Sequence, residues 1–190
     1  MGADFFQVHP GDDCSLLIVV GDVSGKGLKA AMTVSAIVGA LRGCTARTPA
    51  EVLVYLNRAL YGQVSGFFTC CAALIESGGR VKIANAGHLP PYLNCEELTV
   101  PHGLPLGVAV ENTDAEDTWH LGASDRLAFV SDGVVEARDP SGELYGFERT
   151  REISEQPAET IARTAQLFGQ EDDINVLTVV RLPVMTEAAV

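Results

Sequence analysis

The chain has 190 residues, of which 25 are acidic and 13 basic, giving a formal net charge of −12. Its hydrophobic fraction of 47% is enough for the core of one globular domain and excludes bulk disorder. A surface this acidic disfavours nucleic acid and anionic membranes as partners, while it leaves carboxylates available to bind cations.

The cysteines and the apolar runs indicate the compartment. Five cysteines without any Cys-x-x-Cys pair disfavour a disulfide framework or a structural zinc site, and predict reduced, mostly buried thiols. No signal segment is visible at the N-terminus, and the apolar runs, such as 16–20, are too short to cross a bilayer. We therefore expect a soluble, cytoplasmic protein.

The first half of the chain predicts a strand followed by two helices. The apolar, β-branched run from Cys14 to Val20 is typical of a buried strand. From about Gly27 to Arg42 the pattern becomes helical, with Thr33 on the more polar face and one apolar stripe formed by Ala30, Val34, Ile37 and Leu41. The segment 48–51 has capping-box spacing and a proline at the first helical position, so it opens a second helix, whose apolar side carries Val52, Leu56 and Leu60.

The second half predicts mostly strands. Residues 67–75 form a strand, and the alternation at 80–83 after a glycine turn indicates a hairpin with one solvent-facing side. Residues 85–91 and 101–117 look irregular. Another strand is expected at 126–130, a helix at 157–168, a last strand at 174–182 and a frayed tail at 183–190. Hairpin-linked strands with paired helices predict an α+β fold, with antiparallel sheet covered by helices.

Acidic residues follow or precede the predicted strands at several points. Asp22 and Asp132 come directly after apolar runs, and the pair Asp172-Asp173 precedes the last one; Asp4 is a fourth candidate. An Asp beside a glycine is commonly a turn former, but strand ends of one sheet can converge on one rim. Clustered carboxylates repel each other unless a cation neutralises them, and oxygen ligands suit Mg²⁺ or Mn²⁺.

Two rival motifs fail on their residues. The segment 21–27 resembles a phosphate-binding loop, but that pattern needs a glycine where Val20 lies and a serine or threonine where Gly27 lies. Neither Ser24 nor Ser131 lies in a Gly-x-Ser-x-Gly nucleophile elbow. The glycines of 21–27 instead predict a tight turn that presents Asp22.

Seven segments, in order from residue 2 to about residue 182, together resemble the bacterial branch of the PPM-type (protein phosphatase 2C-like) metal-dependent serine/threonine phosphatases. This branch includes stage II sporulation protein E and the phosphatases of sigma-factor regulators. The segments are Gly2-Ala3-Asp4-Phe5-Phe6, 21–27 with Ala30-Ala31, Asn85-Ala86-Gly87-His88-Leu89-Pro90-Pro91, Leu104-Pro105-Leu106-Gly107, Ser131-Asp132-Gly133-Val134-Val135-Glu136-Ala137, Tyr145-Gly146 and Asp172-Asp173.

The resemblance implies a four-layer α/β/β/α sandwich, formed by residues 1–182, of two antiparallel sheets flanked by helix pairs. Family members usually carry a further strand before the first segment, where this sequence has only Met1. Three readings stay open: the domain is trimmed, its start is misassigned, or it is a minimal version that lacks an N-terminal strand. Ser24 stands where the eukaryotic branch has a histidine that is a suspected leaving-group acid.

The resemblance also implies a centre of two Mn²⁺ or Mg²⁺ ions bridged by a water or hydroxide that attacks phosphorus. Asp22 would bridge the ions, the carbonyl of Val23 would bind one of them, and Asp132 and Asp172 would complete the coordination of the second ion. Asp172 is preferred to Asp173 as a ligand, because the eukaryotic enzymes have Asp-Asn at this pair. Asp4 would orient bound waters or bind a further ion. Asp22, Asp132 and Asp172 are thus the expected catalytic residues.

The implied activity is hydrolysis of phosphoserine or phosphothreonine on a regulatory partner protein of the anti-sigma-factor antagonist type. A catalytically silent binding module of the same fold and a small-molecule phosphomonoesterase are the alternatives. The intact acidic set favours an active enzyme. For His88 a structural role in its loop is favoured over acid catalysis. Lys26 is expected to be solvated rather than to touch phosphate. The oligomeric state is not indicated by the sequence.

Overall fold

The computed structural model describes residues 3–64, 66–111 and 115–183. Gly2 of the first segment and residues 184–190 of the predicted tail lie outside the described residues. Within them the strands are β1 (Asp4–Pro10), β2 (Leu16–Val23), β3 (Phe68–Ile75), β4 (Arg80–Ala86), β5 (Tyr92–Leu93), β6 (Glu96–Glu97), β7 (Asp117–His120), β8 (Arg126–Val130) and β9 (Val176–Val180). The helices are α1 (Leu28–Arg42), α2 (Pro49–Leu60), α3 (Asp132–Val135), α4 (Gly146–Ile153) and α5 (Ala158–Gly169).

The strands form two antiparallel sheets packed face to face. The first has the order β1-β2-β3-β4-β7 and the second the order β6-β5-β8-β9. Because side chains alternate along a strand, Val19 faces α1 and α2, while Ile18 and Val20 face the second sheet. The helices α3 and α5 cover the other side of the second sheet. This is the predicted four-layer α/β/β/α sandwich.

Local sequence signals explain the elements that were predicted well. The Thr48 side chain accepts a hydrogen bond from the Glu51 amide, and the Glu51 side chain reaches back to the Thr48 amide, so the capping box is present with Pro49 at the first turn. The strand predicted at 126–130 has those same bounds as β8, and the helix predicted at 157–168 is α5.

Other predictions were wrong in detail. Thr33 is buried, not on the polar face of α1, and its hydroxyl is satisfied there by donating to the Lys29 carbonyl within the helix. The strand predicted from Cys14 is β2 and starts two residues later, since Cys14 lies in the preceding turn with φ 61°. The alternation predicted at 80–83 is present, with Arg80 exposed, Lys82 half-buried and Val81 and Ile83 buried, but further along β4 the same face is covered at Ala84 and Ala86.

The cysteines and helices bear on the compartment predictions. All five cysteines are free, but only Cys70 and Cys71 are buried, so the expectation of mostly buried thiols was wrong. Burial raises the pKa of the Cys71 thiol to about 12, which keeps it protonated and unreactive. Within the described ranges, no helix combines the length and the apolarity that a membrane span requires.

The edge strand β1 is less well covered than its neighbours. Phe6 and Val8 are paired with Val20 and Ile18 and therefore point towards the second sheet. They are nevertheless 49% and 40% exposed. The second sheet, as far as the described residues show it, does not extend over β1.

Candidate metal centre

Two pairs of neighbouring strands bring the acidic residues to one rim of the sandwich. Asp4 begins β1 and lies directly opposite Asp22, which is next to the last residue of β2. Asp132 begins α3 just beyond the end of β8, and the pair Asp172-Asp173 precedes β9, whose first residue is paired with the last of β8. We call Asp4, Asp22, Asp132 and Asp172 the acidic site.

Two glycines allow the backbones to approach each other closely at this rim. A Cβ on Gly133 would overlap the carbonyl oxygen of Asp173, so only glycine lets the start of α3 lie against that loop. A Cβ on Gly21 would overlap the Thr69 carbonyl oxygen and would lie 2.6 Å from the Phe5 ring. The residues directly before Asp22 and directly after Asp132 are therefore glycines for steric reasons.

Ser131 joins the two segments of the second sheet that carry carboxylates. Its amide donates to the Asn175 carbonyl at 2.9 Å, and the Asn175 amide donates to Ser131 Oγ at 2.9 Å. The Ser131 hydroxyl donates to the Asp173 carbonyl at 3.4 Å. Ser131 is only 3% exposed, so these bonds replace hydration that its hydroxyl has lost. They hold Asp132 beside the loop of Asp172.

Burial and mutual repulsion disfavour charge on the carboxylates of the first sheet. Burial raises the pKa of Asp4 to about 7, and the charges of Asp22 and Asp132 add to this rise, while the Ser131 hydroxyl opposes it. Burial also raises the pKa of Asp22, and repulsion from Asp132 and Asp172 contributes. A cation among these groups would reverse both effects.

Asp172 has a different environment. Its Oδ1 accepts a hydrogen bond from the Asp173 amide at 2.9 Å, and its Oδ2 lies 3.3 Å from Lys26 Nζ. The Asp173 amide, with help from the Lys26 ammonium, lowers the pKa of Asp172, so this carboxylate stays ionised. The expectation that Lys26 is simply solvated was incomplete, because its ammonium forms an ion pair with a proposed metal ligand.

A cleft of ≈ 150 Å³ lies between the two sheets at this rim. Asp22 and Asp132 line it together with Thr69, Gly87, His88 and Leu89. The Asp22 amide donates to Thr69 Oγ1 at 3.3 Å, and Thr69 Oγ1 lies 3.0 Å from His88 Nδ1.

The backbone of His88 is fixed in its loop by two hydrogen bonds with the Asn85 side chain. Its amide donates to Asn85 Oδ1 at 2.8 Å and its carbonyl accepts from Asn85 Nδ2 at 2.9 Å. Burial lowers the pKa of His88 to about 4, so the imidazole is neutral at pH 7 and is a poor proton donor for a leaving group. The structural role favoured by the sequence agrees with these bonds.

The residues at the rim fit a hydrated divalent cation. Oδ2 of Asp4 is buried and accepts no hydrogen bond from any described residue, and carboxylates from separate strands lie close enough to repel. Among the described residues, no three His, Cys, Asp or Glu side chains already close around one point as a complete cage would. Mg²⁺ retains several waters and commonly takes only one or two carboxylates, so the open arrangement suits such an ion.

The predicted site residues do not all line the same cleft. Asp22 and Asp132 line the cleft, and Asp4 and Asp172 flank them. Asp173 instead lines a neighbouring cavity of ≈ 380 Å³ together with Asp4. The Val23 side chain is buried and its amide donates to the Ala3 carbonyl at 3.4 Å.

Sequence reasoning did not select Thr69, and it considered Ser131 only as a nucleophile. Thr69 lies within an ordinary apolar strand, without any motif around it. Only its register opposite Asp22 shows its place at the site.

Comparison with known proteins gives a consistent result. The family model described as Stage II sporulation protein E matches residues 12–182. The phosphoserine phosphatase RsbU of Bacillus subtilis (strain 168) is 32% identical over an alignment of 154 residues, and the match covers 76% of this chain and 46% of that protein. The chain thus spans about half the length of this curated relative.

Solved structures resemble the whole sandwich. The RsbU and RsbW domains of a Mycobacterium tuberculosis protein give a TM-score of 0.76 at 26% identity, covering 96% of this chain and 56% of that one. The SiaA-PP2C domain of Pseudomonas aeruginosa gives a TM-score of 0.78 at 21% identity, covering 96% and 81%. The second likeness, at this low identity, concerns the fold alone.

Proposed function

The chain belongs to the stage II sporulation protein E family, and from this premise we propose that it is a metal-dependent phosphatase of phosphoserine and phosphothreonine. The observation that carries the proposal is the convergence of Asp4, Asp22, Asp132 and Asp172 from separate segments on one rim. The burial of Asp4 and Asp22, and the repulsion that Asp132 adds to both, are unfavourable for the fold alone and are relieved by a cation.

We propose two Mn²⁺ or Mg²⁺ ions at this rim. Asp22 would hold both ions, with the Val23 carbonyl on one of them and Asp132 and Asp172 on the second. Asp4, with its unpartnered buried oxygen, would accept hydrogen bonds from bound waters or bind a further ion. Asp173 is the weaker candidate, since the charge that acts on Asp22 from this pair is that of Asp172. When bound, such ions supply an activated water nucleophile and neutralise charge on the phosphoryl oxygens.

The chain's own hydroxyls do not favour a covalent mechanism. Ser24 Oγ accepts from the Phe67 amide at 3.0 Å, while the Ser24 amide donates to the Phe67 carbonyl at 3.0 Å. Ser131 Oγ is likewise bonded to backbone groups of the loop before β9. Both serines therefore serve to join segments, which supports water as the nucleophile that we propose. The bonds of Ser24 keep the turn after Asp22 in place.

The proposed substrate is a phosphorylated regulatory protein of the anti-sigma-factor antagonist type. Two observations support it: the cleft opens at the surface beside the acidic residues, and the B. subtilis relative is a phosphoserine phosphatase. A catalytically silent module of the same fold, or a small-molecule phosphomonoesterase, would have the same architecture.

Hydrolysis of p-nitrophenyl phosphate tests the proposal. We expect turnover with Mn²⁺ or Mg²⁺, its loss on adding EDTA, and a fall of more than about a hundredfold in Asp22→Asn, because one of the groups that hold the ions is lost. Asp12→Asn is the matched control, since Asp12 is an exposed aspartate in the turn between β1 and β2, at the far end of the same strands.

A panel of phosphoserine, phosphothreonine and phosphotyrosine peptides then defines the substrate. Preference for the first two over small phosphomonoesters is expected. Turnover that survives EDTA and Asp22→Asn would overturn the metal mechanism. A protein that is folded by circular dichroism but inactive with both metals would favour the binding module.

A further inference from the structure

Lys26 joins two segments of the acidic site that are far apart in sequence. Its Nζ lies 3.3 Å from Asp172 Oδ2, so the turn after β2 contacts the loop before β9 through this pair. The side chains are 65% and 38% exposed, and a pair in such a position contributes little to folding. The contact can therefore be exchanged at small cost.

The turn that carries Lys26 has an anchored base and a free tip. At the base, Ser24 exchanges two hydrogen bonds with Phe67. At the tip, Gly25 and Gly27 have φ values of 97° and 78°, and a Cβ on either would meet no atom within 4 Å. Lys26 thus carries its ammonium on a flexible side chain that starts from an anchored turn. This side chain reaches across the edge of the site to Asp172.

The Asp172 carboxylate does not need Lys26 for its orientation. Its Oδ1 is held by the Asp173 amide, and its own carbonyl accepts from Gln170 Nε2 at 2.9 Å. The ammonium occupies the other oxygen, Oδ2. Another cation can replace the ammonium there while the loop keeps the carboxylate in place.

We propose that Lys26 is an exchangeable counter-ion of Asp172 that moves to the substrate's phosphoryl group once a divalent cation takes this carboxylate. The inference rests on the proposed function and adds a residue to it. Lys26 competes with the metal in the substrate-free protein and binds the phosphate dianion in the loaded one. A single flexible cation can serve both anions, since the phosphoryl group would be held at the same rim.

The test combines metal titration with kinetics on the full chain. Lys26→Met removes the charge and keeps the length of the side chain, and Lys26→Arg keeps the charge. Lys29→Met is the matched control, because Lys29 is exposed three residues further on and forms no salt bridge with any described residue. Mn²⁺ binding is measured by calorimetry without substrate, and kcat and KM are measured for a phosphoserine peptide at saturating Mn²⁺.

Lys26→Met is expected to bind Mn²⁺ about two- to fivefold more tightly than Lys29→Met, since the competing ammonium is gone. Its KM should rise about three- to tenfold with kcat little changed, and added salt should shrink this difference. Lys26→Arg should restore both values towards the parent.

Each contrary result has a distinct meaning. If Lys26→Met matches Lys29→Met in Mn²⁺ affinity or in KM while the parent is active, the exchange is wrong and the proposed function stands. If Lys26→Met weakens Mn²⁺ binding, Lys26 supports the site instead of competing with it, which also overturns the inference. A folded parent that binds no Mn²⁺ contradicts the proposed function, and the exchange with it.

Discussion

The two sides of the acidic site are built differently. The inner side consists of Asp4, Asp22, Thr69, His88 and Ser131, whose backbones belong to or adjoin the strands of the two sheets. Its polar groups are largely buried and hydrogen-bonded to each other. The outer side consists of Gly25, Lys26, Gly27 and Asp172, which lie in two loops joined by one half-exposed ion pair.

This difference separates two tasks of the site. The inner side holds carboxylates together against their repulsion, which requires close packing and hydrogen bonds that cannot be exchanged with water. The outer side has open space around its glycines, so its groups can move to a metal or to substrate. Substitutions on the inner side should therefore affect stability and metal binding together, and those on the outer side should cost at most about 1 kcal/mol of stability.

The largest effect is expected for Gly133→Ala on the inner side. The new Cβ would overlap the Asp173 carbonyl oxygen, so the start of α3 must move away from the loop before β9. We expect a loss of about 3 kcal/mol in the free energy of unfolding and at least about tenfold in Mn²⁺ affinity. Urea unfolding and calorimetry measure the two quantities. Parent-like values in both would show that this contact does not hold the site.

A smaller effect is expected for Thr69→Val, which keeps the shape of the side chain and removes its hydroxyl. The Asp22 amide and His88 Nδ1 then lose their shared partner, at a cost of about 2 kcal/mol. Activity should fall together with stability, because the Asp22 amide has lost its hydrogen-bond acceptor. The control is Thr178→Val in β9, whose hydroxyl accepts a bond from Arg126 away from the rim. Equal loss of activity in both variants would contradict a specific role for Thr69.

The metal-free protein should lose stability as the pH rises because of Asp4. Its pKa is near 3.8 when unfolded and about 7 when folded. Between these values the folded state keeps a proton that the unfolded state has released, so the free energy of unfolding falls from about pH 4 to about pH 7. With solvent screening allowed for, this contribution is about 1–2 kcal/mol.

Asp4→Asn removes that dependence and isolates it from the other titrating groups. Urea unfolding is measured in EDTA at pH 5 and at pH 7.5. The free energy of unfolding of the variant, relative to that of the parent, should be higher at pH 7.5 than at pH 5. Mn²⁺ should stabilise the parent more at pH 7.5 than at pH 5. Identical pH dependence in parent and variant would mean that the carboxyl of Asp4 is not held protonated by the fold.

The smallest effect on the site is expected for Gly25→Ala on the outer side. The added methyl group meets no neighbour, so the cost comes only from the positive φ and is about 1 kcal/mol. Mn²⁺ affinity should stay within about twofold of the parent, because no contact of the acidic site changes. A loss of metal binding comparable to that in Gly133→Ala would remove the distinction between the two sides.

Elements with a local signal were predictable, and elements that depend on a neighbouring strand were not. The α2 helix carries its own cap at Thr48 and Glu51, and β8 is a continuous apolar run. In contrast, β1 mixes apolar and polar residues and is held by its pairing with β2, so no strand was predicted there. The short helices α3 and α4 were missed for a different reason, because each has too few turns to show a helical period in the sequence.

The residues of the candidate site also divide into those that a local sequence signal predicts and those that only the structure places. Asp22 and Asp132 were recognisable because each ends an apolar run and is followed within the same motif by glycine. Asp4 was only one candidate among several until its register placed it opposite Asp22. Thr69 has no sequence signal of its own. The ion pair of Lys26 with Asp172 joins residues from opposite ends of the domain, so no local pattern could predict it.

The sequence by itself determined the layered α+β class, the capped helix and the identity of the acidic residues, because strand period, capping and turn glycines act over a few residues. The tertiary structure alone decided which carboxylates are buried and repel, which hydroxyls join the segments, and which cation lies on Asp172. Those properties arise from strand register and from contacts between distant segments, and the pKa of a group depends on what surrounds it in space.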